Sequence, residues 1–430
     1  MSNLEELIER LCPDGVEYKP LWSVTAWDKK FNAVDRSMQP KTYSYHVLLA
    51  KDLFAMKQET GDVFLLSTGV ETGWTTEEIA GDFMCEGEVV TIPWGKSSPV
   101  KGLIKYYNGK FVTGDNRIAT SLNTDVLDNK YLYYWMVNNG EAIDKFYRGS
   151  GIKHPSMYDV LTMKLPVPPL EVQREIVRIL ENFTFLTAEL AAELAARQKQ
   201  YEYYRDLLLT FKPNESTILN ERTNELELSS AIRWMKLGDT CLHSCSGATP
   251  KKSNSEYYVG GTVPWIRTQN VTFNNIYSVD SFITEKAVQE TAAKWIPENC
   301  VIVAISGASA GRCAINKIKA TTNQHCLNME IDSSKALYKY VFYCLCNQYE
   351  ELLSKKQGAR GDLNSSLILD TLIPVPPLEV QQRIVDILDR FDSLCNDISS
   401  GLPAEIEARQ KQYEYYRDKL LTFKELKKEA

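Results

Sequence analysis

Long apolar runs are missing from this chain of 430 residues; stretches such as 301–305 are strand-sized, far below the roughly 18 residues a membrane-spanning helix requires. The first twelve residues, MSNLEELIERLC, are acidic and amphipathic, unlike the basic and apolar parts of a secretory signal. Ten cysteines are scattered without a Cys-x-x-Cys pair, which excludes a dense disulfide framework and points to reduced thiols in a cytoplasm. Four histidines offer no acid–base dyad. No Gly-x-Gly-x-Gly loop, no Gly-x4-Gly-Lys-Ser/Thr loop and no Asp/Asn-Pro-Pro-aromatic element occurs, so the chain lacks the usual signatures of a nucleotide-binding or methyl-transferring enzyme. Pro13-Asp14 followed by Glu17-Tyr18-Lys19 superficially resembles a nuclease metal site, but carboxylates this close in sequence cannot come from two neighbouring strands. Cys241, His243 and Cys245 would share one face of a pleated strand, yet three soft ligands without a fourth make buried thiols the simpler reading. Nor is there an excess of basic charge: the net charge is −7, so any nucleic-acid contact must come from local basic loops.

What the chain does have is a repeat. Residues 165–183, LPVPPLEVQREIVRILENF, return at 373–391 as IPVPPLEVQQRIVDILDRF, with 13 of 19 positions identical. ARQKQYEYYRDLLLTFK at 196–212 returns at 408–424 with one difference in 17. Each pair follows a long, mixed segment that is barely similar between the copies, so a constant helical module carries two unlike heads. With 44% hydrophobic and 24% charged residues, the composition is that of a globular protein too long for one core.

The pattern places a first mixed domain at 1–165, with strand-like runs at 63–67, 89–94 and 103–107. A long helix follows at 169–212, with proline at its start and Glu171 in the first turn. Ile176, Leu180, Phe183, Thr187, Leu190, Leu194, Arg197, Tyr201, Tyr204, Leu208 and Phe211 lie on one heptad seam. Such a helix would be about 60 Å long. Residues 213–228 read as a polar linker, 229–372 as the second mixed domain and 377–424 as the second long helix. The second seam runs Ile384, Leu388, Phe391, Cys395, Ile398 and Leu402, then Ile406, Arg409, Tyr413, Tyr416, Leu420 and Phe423. Its extra step of four coincides with Gly401-Leu402-Pro403, which predicts a kink or short break. The expected fold is therefore α+β: two globular mixed α/β domains separated by two long antiparallel coiled-coil helices, with an internal pseudo-two-fold repeat. Two seams that cannot face water bury each other. Such pseudo-symmetry suits a duplex, whose backbone is itself two-fold symmetric.

The residues carry a resemblance as well. LCPDGVEYKPL (11–21), WMKLGDT (234–240), SGATPKKSNSEYYVGGTVPWIRTQNV (246–271), ISGASAGRCAI (305–315), TTNQHCLNM (321–329) and QGARGDLNSSLILDTLIPVPPLEVQ (357–381) resemble the specificity (S) subunit of type I restriction–modification systems. RGSGIKHPSMYDVLTMKLPVPPLEVQ (148–173) is the looser counterpart of the last. The resemblance implies a non-catalytic subunit whose two target-recognition domains each read half of an asymmetric, two-part DNA sequence. Two modification (methyltransferase) subunits would dock on it to methylate adenine, and two restriction/translocase subunits would join. S-adenosylmethionine, ATP and Mg2+ would be bound by those partners, with no cofactor or metal in this chain. The helices would act as a ruler between the half-sites.

Arginine and lysine suit phosphates and guanine, while asparagine and glutamine suit adenine. In the second domain the candidates for DNA contact are Lys251, Lys252, Asn254, Arg267, Gln269, Asn270, Arg312, Asn323, Gln324, Lys355, Lys356 and Arg360. In the first they are Lys96, Lys101, Arg117, Arg148 and Lys153. Packing on the seam accounts for the repeated tyrosines but not for Gln198, Lys199, Glu202 and Asp206 or their copies Gln410, Lys411, Glu414 and Asp418, which suggests one kind of partner bound twice. The competing reading is a bivalent coiled-coil adaptor that binds proteins and not DNA; the acidic net charge leans that way and the motifs lean against it.

Overall fold

A computed structural model describes residues 3–96, 98–114, 116–211, 232–356, 362–397 and 399–426. It divides into two compact units: residues 1–190 with 406–430, and residues 191–405. The expected linker at 213–228, Ile398 and Arg360 lie outside the described residues.

The first unit is built on a six-stranded sheet in the order Thr25–Trp27, Asn116–Ser121, Cys85–Pro93, Lys105–Thr113, Val63–Leu66, Gly73–Thr75. All its pairings are antiparallel except Val63–Leu66 with Lys105–Thr113. The second unit repeats five of these positions as Cys241–Ser246, Cys326–Ile331, Val301–Ala304, Cys313–Asn316 and Asn274–Ile276, again antiparallel up to a final parallel pair. It adds a four-stranded sheet of Phe282–Ile283, Val263–Ile266, Ala320–Thr322 and Trp295–Ile296. The two heads thus share a topology that their sequences hide. A bulge between Cys241 and His243 breaks the expected alternation there, so the two do not share a face in simple register. Among the described residues no cluster of His, Cys, Asp or Glu is arranged for a metal. Cys241 is half-buried, and burial pushes its thiol up to about 11.

The long helices follow the predicted seam. The first spans Leu170–Thr210, starting directly after the Pro-Pro pair and ending where Phe211 takes a left-handed φ of 40°. Every seam residue from Ile176 to Phe211 is buried or half-buried. In the first unit Phe183 stacks on Tyr416 at 5.6 Å between ring centroids and meets Tyr413 at 6.5 Å. In the second, Phe391 stacks on Tyr204 at 5.5 Å and meets Tyr201 at 6.3 Å. In each unit the end of one helix packs beside the start of the other, so the pairing is antiparallel. Leu208 and Leu209 share a core with Ile384 and Leu388, and Leu421 shares one with Ile176 and Leu180.

The second helix comes in two pieces, Leu378–Asn396 and Leu402–Leu420. The Asp397 carboxylate closes the break by accepting from the Ser399 and Ser400 hydroxyls at 2.6 Å each and from the Ser399 amide at 2.7 Å. These bonds hold its carboxyl well below the usual range. A Cβ on Gly401 would stand 2.6 Å from the Ser393 carbonyl oxygen, so only glycine fits the bend.

The repeated Pro-Val-Pro-Pro-Leu-Glu-Val-Gln motif has a structural reason. Its first residues form the strands Lys164–Val167 and Leu372–Val375, each antiparallel to a strand that opens its unit, Glu17–Pro20 or Arg233–Lys236. Its glutamine is fully buried and pins the helix to its head. Gln173 accepts from the Asp128 amide at 2.9 Å and donates to the Val126 and Pro168 carbonyls at 2.8 and 2.7 Å. Gln381 accepts from the Leu337 amide at 2.9 Å and donates to the Lys335 and Pro376 carbonyls at 3.2 and 2.8 Å. Tyr131 and Tyr340 donate to the Pro166 and Pro374 carbonyls. Lys130 pairs with Glu181 and Lys339 with Asp389, the same ion pair in both units.

Candidate nucleic-acid interface

In the second unit the backbone gathers three stretches that are far apart in sequence. The Ala248 amide donates to the Thr322 carbonyl at 2.9 Å, and the Asn323 amide donates to the Ile266 carbonyl at 3.0 Å. Trp265 Nε1 donates to the Ala248 carbonyl at 3.1 Å. The segments that begin at 247, 265 and 322 are therefore tied together where the parallel strands Val263–Ile266 and Ala320–Thr322 end. The turn after Val301–Ala304 joins them, because the Ile305 amide donates to the His325 carbonyl at 2.9 Å. That turn ends at Arg312, which is half-buried.

Within this surface the predicted residues divide. Lys251, Lys252, Gln269 and Gln324 are exposed. Arg267 lies 5.7 Å from the Trp265 ring centroid and 3.8 Å from the Asp280 carboxylate, with its Nε buried and without a hydrogen-bond partner. Aromatic and carboxylate hold a guanidinium extended without using all its donors. Asn254 and Asn270 have inward work instead. Asn254 accepts from the Glu256 amide at 3.2 Å, and Asn270 accepts from the Arg267 amide at 3.0 Å. Asn323 is 8% exposed and accepts from the His325 amide at 3.1 Å. These three asparagines shape the loops that carry the others. Lys355, just past the helix Tyr349–Ser354, pairs with Glu351 at 2.6 Å, and Lys356 beside it is half-buried.

The first unit presents less of its predicted set. Arg117, expected at the surface, is 1% exposed: it lies 3.8 Å over the Trp94 ring and 3.4 Å from the Asp28 carboxylate. Lys96 is likewise taken inside, paired with Asp144 and 5.1 Å over the Tyr147 ring. Arg117 faces a buried carboxylate and Lys96 a half-buried one, so neither charge stands open on the surface. Lys101, Arg148 and Lys153 remain accessible. Arg148 pairs with Asp159 at 2.9 Å, and Lys101 reaches Glu414 at 3.9 Å, which joins a DNA candidate to a partner candidate. A hairpin of Tyr147–Arg148 with His154–Pro155 displays Arg148 and Lys153, and His154 ties it to the Trp94 carbonyl at 2.8 Å.

All eight repeated polar residues on the helices, Gln198, Lys199, Glu202, Asp206, Gln410, Lys411, Glu414 and Asp418, are exposed. Between them stand Tyr203 and Tyr415, which sequence reasoning passed over, at 64% and 63% exposure. The near-identity of the two segments was the available signal. Each unit therefore carries the same polar and aromatic stripe.

The model of the type I restriction modification DNA specificity domain matches residues 53–197 and 232–408, one stretch for each head with the helix behind it. The chain belongs to this family. The specificity-domain chain is 32% identical over 440 residues to the EcoR124I/EcoR124II type I restriction enzyme specificity subunit of Escherichia coli, covering 98% of this chain and 97% of the relative. It is 29% identical over 444 residues to a putative type I specificity subunit of Haemophilus influenzae, covering 98% and 100%. The fold is similar to that of a type I S subunit from M. genitalium, with a TM-score of 0.57 over 95% of this chain and 96% of that one at 16% identity. A chain from a study of type I complex assembly aligns with a TM-score of 0.50 over 78% and 82% at 17% identity. Among the described residues of this specificity-domain chain, no helix is long and apolar enough to cross a membrane.

Proposed function

We propose that this chain is the non-catalytic DNA-specificity subunit of a type I restriction–modification complex. Each unit reads one part of an asymmetric bipartite sequence, and the repeated helix faces seat two adenine methyltransferase subunits, with restriction subunits joining them in the cytoplasm. One observation carries the reading: the specificity-domain model matches both units, whose sheets share a strand order while their loops differ. Equal frames with unequal loops suit two different half-sites and one repeated protein partner. S-adenosylmethionine, ATP and Mg2+ belong to the partner subunits in this scheme.

Electrophoretic shift with random duplexes tests it against the adaptor reading. Phosphate contacts release counterions, so affinity of the chain with its modification subunits should fall by about 10³-fold or more between 50 and 200 mM salt if six or more phosphates are neutralised. An absence of shift at low salt would favour the adaptor.

The helices supply a second test. Four residues inserted after Leu194 add about 6 Å and roughly one turn to the first helix, nearly preserving side-chain facing. The preferred gap between half-sites should lengthen while both half-sites stay unchanged. Altered half-sites with an unaltered gap would count against a ruler.

A further inference from the structure

Gln324 is exposed, yet its amide is held on both sides. The Thr249 hydroxyl, 75 residues earlier in the chain, donates to its Oε1. Its Nε2 lies 3.0 Å from Nε2 of His325. Oε1 accepts from the hydroxyl, so Nε2 is the donor end of the amide and faces the imidazole nitrogen. The backbone beneath is fixed as well. Asn323 accepts from the His325 amide, and a Cβ on Gly247 would lie 2.0 Å from the Thr322 carbonyl oxygen, so only glycine lets the Thr249 segment approach.

Ordering an exposed side chain with three torsions has an entropy cost, which an ordinary surface glutamine avoids by remaining mobile. Here two side-chain bonds offset that cost and leave the amide one oxygen lone pair and one N–H. That pair is complementary to the major-groove edge of adenine, whose N6 donates and whose N7 accepts. Arg267 and Lys251 stand on the stretches joined to Gln324, placing cationic groups for phosphates in the same surface.

We propose that Gln324 reads an adenine in the half-site of the second unit, with Thr249 and His325 as positioning residues that present its amide. This rests on the DNA-specificity reading above and adds the residue and the base.

The test uses the full chain assembled with its modification subunits and a randomised duplex library, sequencing the bound fraction. The wild type should select a two-part motif with an adenine fixed in one part. Gln324→Ala should lower the preference for that adenine by about 10-fold or more, leaving the other part and the gap unchanged. Gln324→Glu, which can only accept, should move the preference toward cytosine, whose N4 donates. His325→Ala should weaken the adenine preference, and His325→Gln, which keeps an acceptor, should restore part of it. A merely structural role would lower binding to all sequences and move no base preference. If the wild-type motif survives unchanged in both Gln324 variants, the assignment of this residue fails while the specificity reading stands. If the wild-type complex selects no motif, both fail.

Discussion

Gln381→Leu should lower the stability of the second unit by at least about 3 kcal/mol, because each buried polar group left without a partner costs roughly 1–3 kcal/mol. Leucine nearly matches the volume but can neither accept from the Leu337 amide nor donate to the Pro376 and Lys335 carbonyls. The side chain is fully buried, which restricts replacement of the lost bonds by water. The neighbouring Gln382 is exposed and bonds only along its own helix, to Asp386 at 2.7 Å, so Gln382→Leu should stay within about 0.5 kcal/mol of wild type. Hydrogen exchange in urea at the amides of Tyr338–Asn347 reads the second unit separately from the first. Equal protection in the two variants would show that the repeated glutamine is not what fastens helix to head.

Asp28→Ala should destabilise the first unit by about 2 kcal/mol or more, since it removes a buried carboxylate that faces the Arg117 guanidinium and accepts from the Ile118 amide, at roughly 1–3 kcal/mol for each buried group that loses a partner. Asp28 accepts from the Ile118 amide at 3.1 Å and faces the guanidinium at 3.4 Å, with both side chains nearly inaccessible. Burial raises the carboxyl of Asp28 above its ordinary value even against the pull of Arg117, so the buried pair carries a substantial desolvation penalty. The double replacement Asp28→Leu with Arg117→Met removes both charges and should therefore be less destabilising than Asp28→Ala alone. Urea unfolding of the three proteins decides it. A double variant weaker than the single one would mean that the pair stabilises the core beyond what apolar packing supplies.

The sequence revealed the frame far better than the reading surface, for physical reasons. A heptad seam is a regular pattern along one helix, so Ile176, Leu180 and their successors could be named without coordinates, and Gly401 next to Pro403 marked the break. The shared sheet topology was hidden because strand pairing depends on long-range register, which different sequences satisfy equally well. One joint was present in the sequence and went unread: Lys130-Tyr131 and Lys339-Tyr340 occupy the same place in the two units, and each lysine pairs with its helix. Side-chain type alone could not sort the loops. Arg117 and Arg267 look equivalent as letters, but one is sealed against Asp28 and the other is half-exposed beside Trp265. Thr249 and His325 carry no mark in the sequence, because what they do depends on folding that brings residue 249 to residue 324.

The most direct test of a bipartite reader is to express this chain with its modification subunits and map methylated adenines across the host genome, first as it stands and then with residues 237–371 replaced by the matching segment of the Haemophilus influenzae relative. The account predicts two short, unlike elements at a fixed spacing, of which the exchange alters one and leaves the other in place. Methylation at a single continuous site, or a change in both elements after the exchange, would contradict it.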